Sequence, residues 1–259
     1  MKVVLLGPPG AGKGTQSKYL EDHFRLKQLS TGDMLRSAVA AGSQIGSVAK
    51  SYMEGGKLVP DEVVVGIISQ AIDALPKDLA GFVLDGFPRT VQQAQALDGL
   101  LDRMAKRIDA VIVVDVSDDA LVERISGRFT CAGCGELYND YFRAPKVEGT
   151  CDRCGSTSFN RRSDDNAVTV RERLLVYHSE TKPLIDYYRT KGRLHIINGD
   201  LPIADVQRGI DEIMRSRHGH APEDSRRGLG GPSRRSPSHR WLGWLIGDRA
   251  TQRPPRANS

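Results

Sequence analysis

No run in this 259-residue sequence approaches the ~20 consecutive apolar residues needed to cross a bilayer. Met1–Leu6 is too short for a secretory signal, and glycine and proline interrupt the chain directly after it. The expected location is therefore the cytoplasm, with no membrane span. Cysteine is scarce: there are four, all between residues 129 and 160. Net charge is scarce too, once the tail is set aside. Residues 215–259 hold ten arginines against Glu223, Asp224 and Asp248, a balance of +7. The total is +5, so the first 214 residues sum to −2. That body is no polycation, and its charge gives no reason to expect a nucleic-acid partner.

What is present suits a soluble protein of one or two domains with a large core, at 39% hydrophobic and 27% charged residues. Lys2–Leu6, Phe82–Leu84, Ala110–Val114 and Leu194–Ile197 read as buried strands, and Lys27–Leu29 as a weaker one. Amphipathic stretches over Asp61–Leu75, Val91–Ala105, Asp118–Ser126, Asn166–Arg189 and Ile203–Arg215 read as helices. Strand–helix alternation predicts an α/β fold: a parallel sheet flanked by helices, with ligands at the C-terminal strand ends. Residues 30–59 interrupt the alternation as a helical insertion, and residues 129–160 as a second insertion without helical period. From about 216 onward, Arg, Ser, Pro and Gly predict a disordered basic tail carrying one apolar island, Trp241–Ile246.

Gly7-Pro8-Pro9-Gly10-Ala11-Gly12-Lys13-Gly14-Thr15 stands between the first strand and a helix. Such a turn aims backbone N–H groups and a helix N-terminus at one point, and Lys13 adds a full charge. This is a phosphate cradle, or P-loop. The bland alternative is a glycine-rich turn with a stray lysine, but strand, loop, lysine and helix come in order. Gly14 stands where the pattern places a hydroxyl for Mg²⁺, so the ion would be held mostly by phosphate oxygens and water.

Cys131-Ala132-Gly133-Cys134-Gly135 and Cys151-Asp152-Arg153-Cys154-Gly155 are two C-x-x-C-G turns, 16 residues apart. Four soft ligands at this spacing suit tetrahedral Zn²⁺ with no position left open, hence a structural site. Two disulfides and a nucleic-acid-binding zinc ribbon are the alternatives. Disulfides fit a reducing cytoplasm poorly. Arg128, Arg143, Lys146, Arg153, Arg161 and Arg162 keep the ribbon open.

Asp85-Gly86-Phe87-Pro88-Arg89-Thr90 resembles the D-G-[FY]-P-R signature of nucleoside monophosphate kinases. Gly7–Thr15, Ser30–Arg36, Gly56–Asp61 and Arg162-Ser163-Asp164-Asp165 fit the same pattern, in order, across residues 1 to about 214. The chain resembles adenylate kinases of the long-lid, zinc-bearing bacterial type. The resemblance implies MgATP + AMP ⇌ 2 ADP on a five-stranded parallel core (1–29, 60–127 and 161–215). It adds an AMP-binding subdomain at 30–59 and a zinc-stapled lid at 128–160, and a monomer is expected. It assigns AMP to Thr31, Arg36, Lys57, Leu58, Val59, Gly86, Phe87, Pro88, Arg89 and Gln93. ATP falls to Gly10, Ala11, Gly12, Lys13, Gly14, Thr15, Arg124, Arg128, Leu137, Tyr138 and Leu201. Arg162 and Arg173 would close over the phosphates and belong also to the AMP set. Lys13, Arg89, Arg128, Arg162 and Arg173 are the catalytic candidates, because transfer between two polyanions needs convergent positive charge. Phe87-Pro88 is a candidate cis peptide. Asp85 could orient water on Mg²⁺ or merely cap a turn. Ser117 is the expected N-cap of the helix carrying Arg124, whose spacing from Arg128 would put both guanidiniums on one side if the helix persists.

Overall fold

The structure is a computed structural model that describes residues 1–76, 78–162 and 164–218. Five strands form one sheet: β1 (Lys2–Leu6), β2 (Leu26–Ser30), β3 (Gly81–Asp85), β4 (Ala110–Asp115) and, last of the five in sequence, Leu194–Asn198. The lid contributes β5 (Arg128–Cys131), β6 (Leu137–Asn139) and β7 (Phe159–Asn160), so the last core strand is β8. The core order is β2-β3-β1-β4-β8, all parallel. β1, β3 and β4 are buried on both faces, as their continuous apolar runs require. β8 departs from the expected fully buried strand. It lies at the sheet edge, and Ile196 is 55% exposed.

The helices are α1 (Lys13–Phe24), α2 (Thr31–Ala40), α3 (Gln44–Glu54), α4 (Asp61–Asp73), α5 (Val91–Arg103), α6 (Asp118–Ser126), α7 (Ala167–Val176), α8 (Leu184–Thr190) and α9 (Ile203–His218). α4, α5 and α8 pack on one face of the sheet around Leu84, Phe87, Leu97, Val111 and Tyr188; α1 and α9 cover the other around Leu5, Leu20, Ile112 and Ile210. Among the described residues, no helix is long and apolar enough to cross a membrane. Residues from 219, including Trp241–Ile246, lie outside the described residues, and α9 overruns the expected tail boundary by three residues.

Two local expectations need correction. The single helix expected over Asn166–Arg189 is three pieces, because a π turn occupies Tyr177–Thr181 and Pro183, lacking an N–H, follows it. Ser117 is the N-cap of α6, but its hydroxyl makes no capping bond; its backbone N–H donates to Asp200 Oδ2 at 3.2 Å.

The helical insertion is α2 and α3, each started by a serine: Ser30 Oγ accepts from Asp33 N and Ser43 Oγ from Gly46 N. The second insertion is a small antiparallel sheet, β6-β5-β7, whose core is Phe129, Tyr138 and Phe159 with centroids 5.4–5.8 Å apart.

Candidate functional site

β1 ends at Leu6, and the loop behind it opens into α1 at Lys13. Gly12 caps that helix in the left-handed region (φ 87°), which a side chain there would resist. Lys13 Nζ donates to the carbonyls of Gly7 (2.7 Å) and Pro8 (2.8 Å), which holds the amine over the loop. A Cβ on Gly14 would lie 3.2 Å from Leu137 Cδ1 of the lid and 3.7 Å from Asp85 Oδ2. A side chain there would require the Leu137 side chain of the lid to give by a few tenths of an ångström. Asp85, at the C-terminal end of β3, accepts from Ser17 Oγ at 3.3 Å and Gln28 Nε2 at 3.4 Å. It is therefore wired into the core rather than capping a turn.

One cavity of about 950 Å³ runs from this loop to α2 and α3, with the lid above it. Pockets for drug-sized ligands span ~300–1,000 Å³, so it stands near the upper end. All the nucleotide residues expected from the sequence line it, with one exception. Phe87 is fully buried in the core between helices and sheet. A large apolar ring gains more there than at a phosphate-facing wall, so its side chain packs in the core. The Phe87-Pro88 peptide is cis.

The cations converge. Burial lowers the Lys13 amine to about 8; Asp85 opposes the fall, while Arg89, Arg128 and Arg173 add to it. Arg173 is lowered by burial and then by Arg128, Arg89, Arg162 and Arg36, and Arg162 by burial and then by Arg128 and Arg36. Each of these guanidiniums stays charged at neutral pH. Like charges brought this close need a polyanion or carboxylates between them.

Asp33, Asp164 and Asp165 are carboxylates to which the sequence assigned no role. Arg128 closes a two-pronged bond on Asp165, with Nε at 2.9 Å and Nη2 at 2.5 Å. Arg173 contacts Asp164, and its Nη1 lies 3.4 Å from Asp165. Asp33 pairs with Arg36 and, at 3.4 Å, with Arg162. The run Asp164-Asp165 behind Arg162 was the available signal. Arg124 reaches the opposite wall, donating to Gly199 O at 2.9 Å. It does not share a helix face with Arg128, since α6 ends at Ser126 and Arg128 begins β5.

The side of the cavity next to the helical insertion is held by hydrogen bonds. Thr31, 2% exposed, donates to Gly86 O at 2.9 Å. Gln93 accepts from Arg89 N at 2.7 Å and donates to Asp61 Oδ1 at 2.6 Å. Thr181, in the π turn, donates to Arg89 O at 2.8 Å, so both backbone polar groups of Arg89 are pinned.

The four cysteines are free thiols whose sulfurs all lie within 4.8 Å of one another. Two cross-turn pairs, Cys131–Cys154 and Cys134–Cys151, are each separated by 3.6 Å. Four thiolates around one ion at Zn–S distances of ~2.3 Å would stand about 3.8 Å apart, so the donor set and its spacing fit a tetrahedral metal. Gly135 (φ 72°) and Gly155 (φ 73°) give the two turns the same left-handed exit. Burial alone would raise the Cys151 thiol, but hydrogen bonds from Tyr138 and from the N–H groups of Cys154 and Arg153 bring it below the ordinary thiol value.

The sequence model of the family described as adenylate kinase matches residues 5–193. The chain belongs to the adenylate kinase family. An adenylate kinase of Paramagnetospirillum magneticum is 52% identical over 215 residues, covering 83% of this chain and 98% of that protein. One of Rhizobium rhizogenes is 53% identical over 214 residues, 83% of this chain and 99% of that protein. One of Nitrosococcus oceani is 45% identical over 216 residues, 83% and 99%. The family match over residues 5–193 takes in the P-loop, both insertions and the cation cluster, and stops short of the basic tail.

Proposed function

We propose that this chain moves a phosphoryl group reversibly from MgATP to AMP, giving two ADP, by clamping both phosphate chains with convergent cations beneath its lid. The observation that carries this reading is the convergence of Lys13, Arg162 and Arg173, each lowered first by burial and further by neighbouring arginines, inside one cavity that joins the P-loop to the helical insertion. Transfer needs little covalent help, so placing and neutralising the two chains is most of the catalysis. Lys13 and the N–H groups of the P-loop would grip the ATP phosphates. Arg36 and Arg89 would hold the AMP phosphate, while Arg128, Arg162 and Arg173 would face the group in transit. Their planar forks hold phosphate bidentately, and phosphate would compete with Asp165, Asp164 and Asp33 for them. The lid would exclude water, the competing acceptor.

Mg²⁺ would neutralise phosphate charge, and Asp85 would orient its water. Cys131, Cys134, Cys151 and Cys154 would hold a structural Zn²⁺ that stiffens the lid. Thiols kept reduced for a metal suit the cytoplasm, where the chain would work as a monomer. The test is incubation with MgATP and each nucleoside monophosphate in turn. ADP should form rapidly with AMP alone; faster turnover with GMP, CMP or UMP would overturn the assignment.

A further inference from the structure

We propose that Tyr138 is a positioning residue of the four-cysteine metal centre, its hydroxyl donating to Cys151 Sγ and holding that sulfur in the ligand set. The proposal rests on the metal-site reading above. It concerns a residue that the resemblance assigns to ATP.

The direction of the bond follows from the partners. Tyr138 Oη accepts from Asp152 N at 2.8 Å. A backbone N–H can only donate, so the hydroxyl proton is directed elsewhere, and Cys151 Sγ stands 3.4 Å away. Tyr138 is 3% exposed, so water has little access to replace either bond. Its ring is fixed on three sides. Phe129, its partner across β5 and β6, stacks at 5.6 Å; Phe159 meets it edge-on at 5.8 Å; and the Arg143 guanidinium stands 5.6 Å from its centroid. The hydroxyl thus reaches a ligand sulfur and the N–H of a residue between two ligands from a rigid mount. Ligands of a metal keep their geometry through such outer partners, and losing one typically costs 10–100-fold in affinity. Tyr138 also lines the cavity, so one residue stands between metal centre and ligand pocket.

The test uses the full-length chain loaded with zinc. The wild type should first be shown to retain about one zinc per chain; a wild type that holds none removes the metal reading itself, and this proposal with it. Zinc release to the chromophoric chelator 4-(2-pyridylazo)resorcinol is then compared between wild type and Tyr138→Phe. The variant should release zinc roughly 10–100 times faster. In Co²⁺-loaded protein its sulfur-to-cobalt charge-transfer band should shift. Phe159→Leu, which removes a neighbouring ring and no metal-directed bond, should lower Tm and leave that band in place. Release within twofold of wild type with an unchanged cobalt spectrum would overturn the proposal. So would an equal spectral shift in Phe159→Leu, or a Tyr138→Phe chain that stays unfolded at saturating zinc, since the ring or the lid fold would then be what the tyrosine serves.

Discussion

Lys18 Nζ on α1 lies 2.8 Å from Glu136 Oε2 on the lid, between the two cysteine turns. Glu136 also receives Arg143 at 2.7 Å and Arg153 at 3.6 Å. Burial alone would raise its carboxyl, but the hydrogen bonds from Lys18 and Arg143 outweigh that and hold it below the ordinary carboxylate range. Arg143 and Arg153 belong to the lid itself, so among the described residues only Lys18 fastens the lid to the core through this carboxylate.

Lys18→Gln should loosen that fastening. A partly shielded pair is worth about 1 kcal/mol, which predicts a KM for ATP raised roughly fivefold and a wild-type effect that fades with added salt. Steady-state kinetics at two ionic strengths would decide. An unchanged KM at both would show that the lid closes without the pair.

Lys13→Met should lower kcat by about 10²–10³-fold while Tm stays close to wild type. The side chain is held by two carbonyls of its own loop rather than by distant elements, so the fold does not depend on it. Turnover near the wild-type rate would remove the amine from the chemistry.

The same amine sets a pH dependence. Lys13 sits at about 8, below the ordinary lysine value, because burial and neighbouring arginines disfavour its charge. Below pH 8 the charge that a polyphosphate needs is present. Above it, binding must take up a proton, and the ATP Kd should weaken by up to about tenfold per pH unit. Titration calorimetry at pH 7 and 9, in buffers of different ionisation enthalpy, measures both effects. Equal affinity with no proton uptake would contradict the depressed pKa.

Chelation of the lid metal should lower Tm by several degrees and change kcat of the still-folded enzyme by less than about twofold. The lid core is three rings and a few strand residues, too little to hold unaided. Activity lost at once with an unchanged melting curve would assign the metal to catalysis.

Much of this was legible in the chain because the signals are local. Gly12-Lys13 marks a loop end by chemistry that a few neighbours determine, and Val111–Val114 marks a two-sided strand by composition. The cysteine turns reveal themselves by spacing. Pairings between distant segments were not legible: nothing near Arg128 names Asp165, and nothing near Lys18 names Glu136. Periodicity also ran past real breaks. The apolar pattern of 166–189 continues through the π turn, since one extra residue per turn shifts the phase without interrupting the polar–apolar alternation. It likewise suggested a common face for Arg124 and Arg128, although the chain turns into β5 between them.

That π turn has a consequence for how the chain tolerates change in length. Arg173 on one side of it contacts Asp164, and Thr181 at its far end reaches the carbonyl of Arg89. Positions eight apart on a regular α-helix are offset by about 80°, and the wider turn alters that offset. The five residues Tyr177–Thr181 therefore act as a gauge block between two arginines: a single-residue deletion there would leave a well-formed rod with its two ends aimed at different walls.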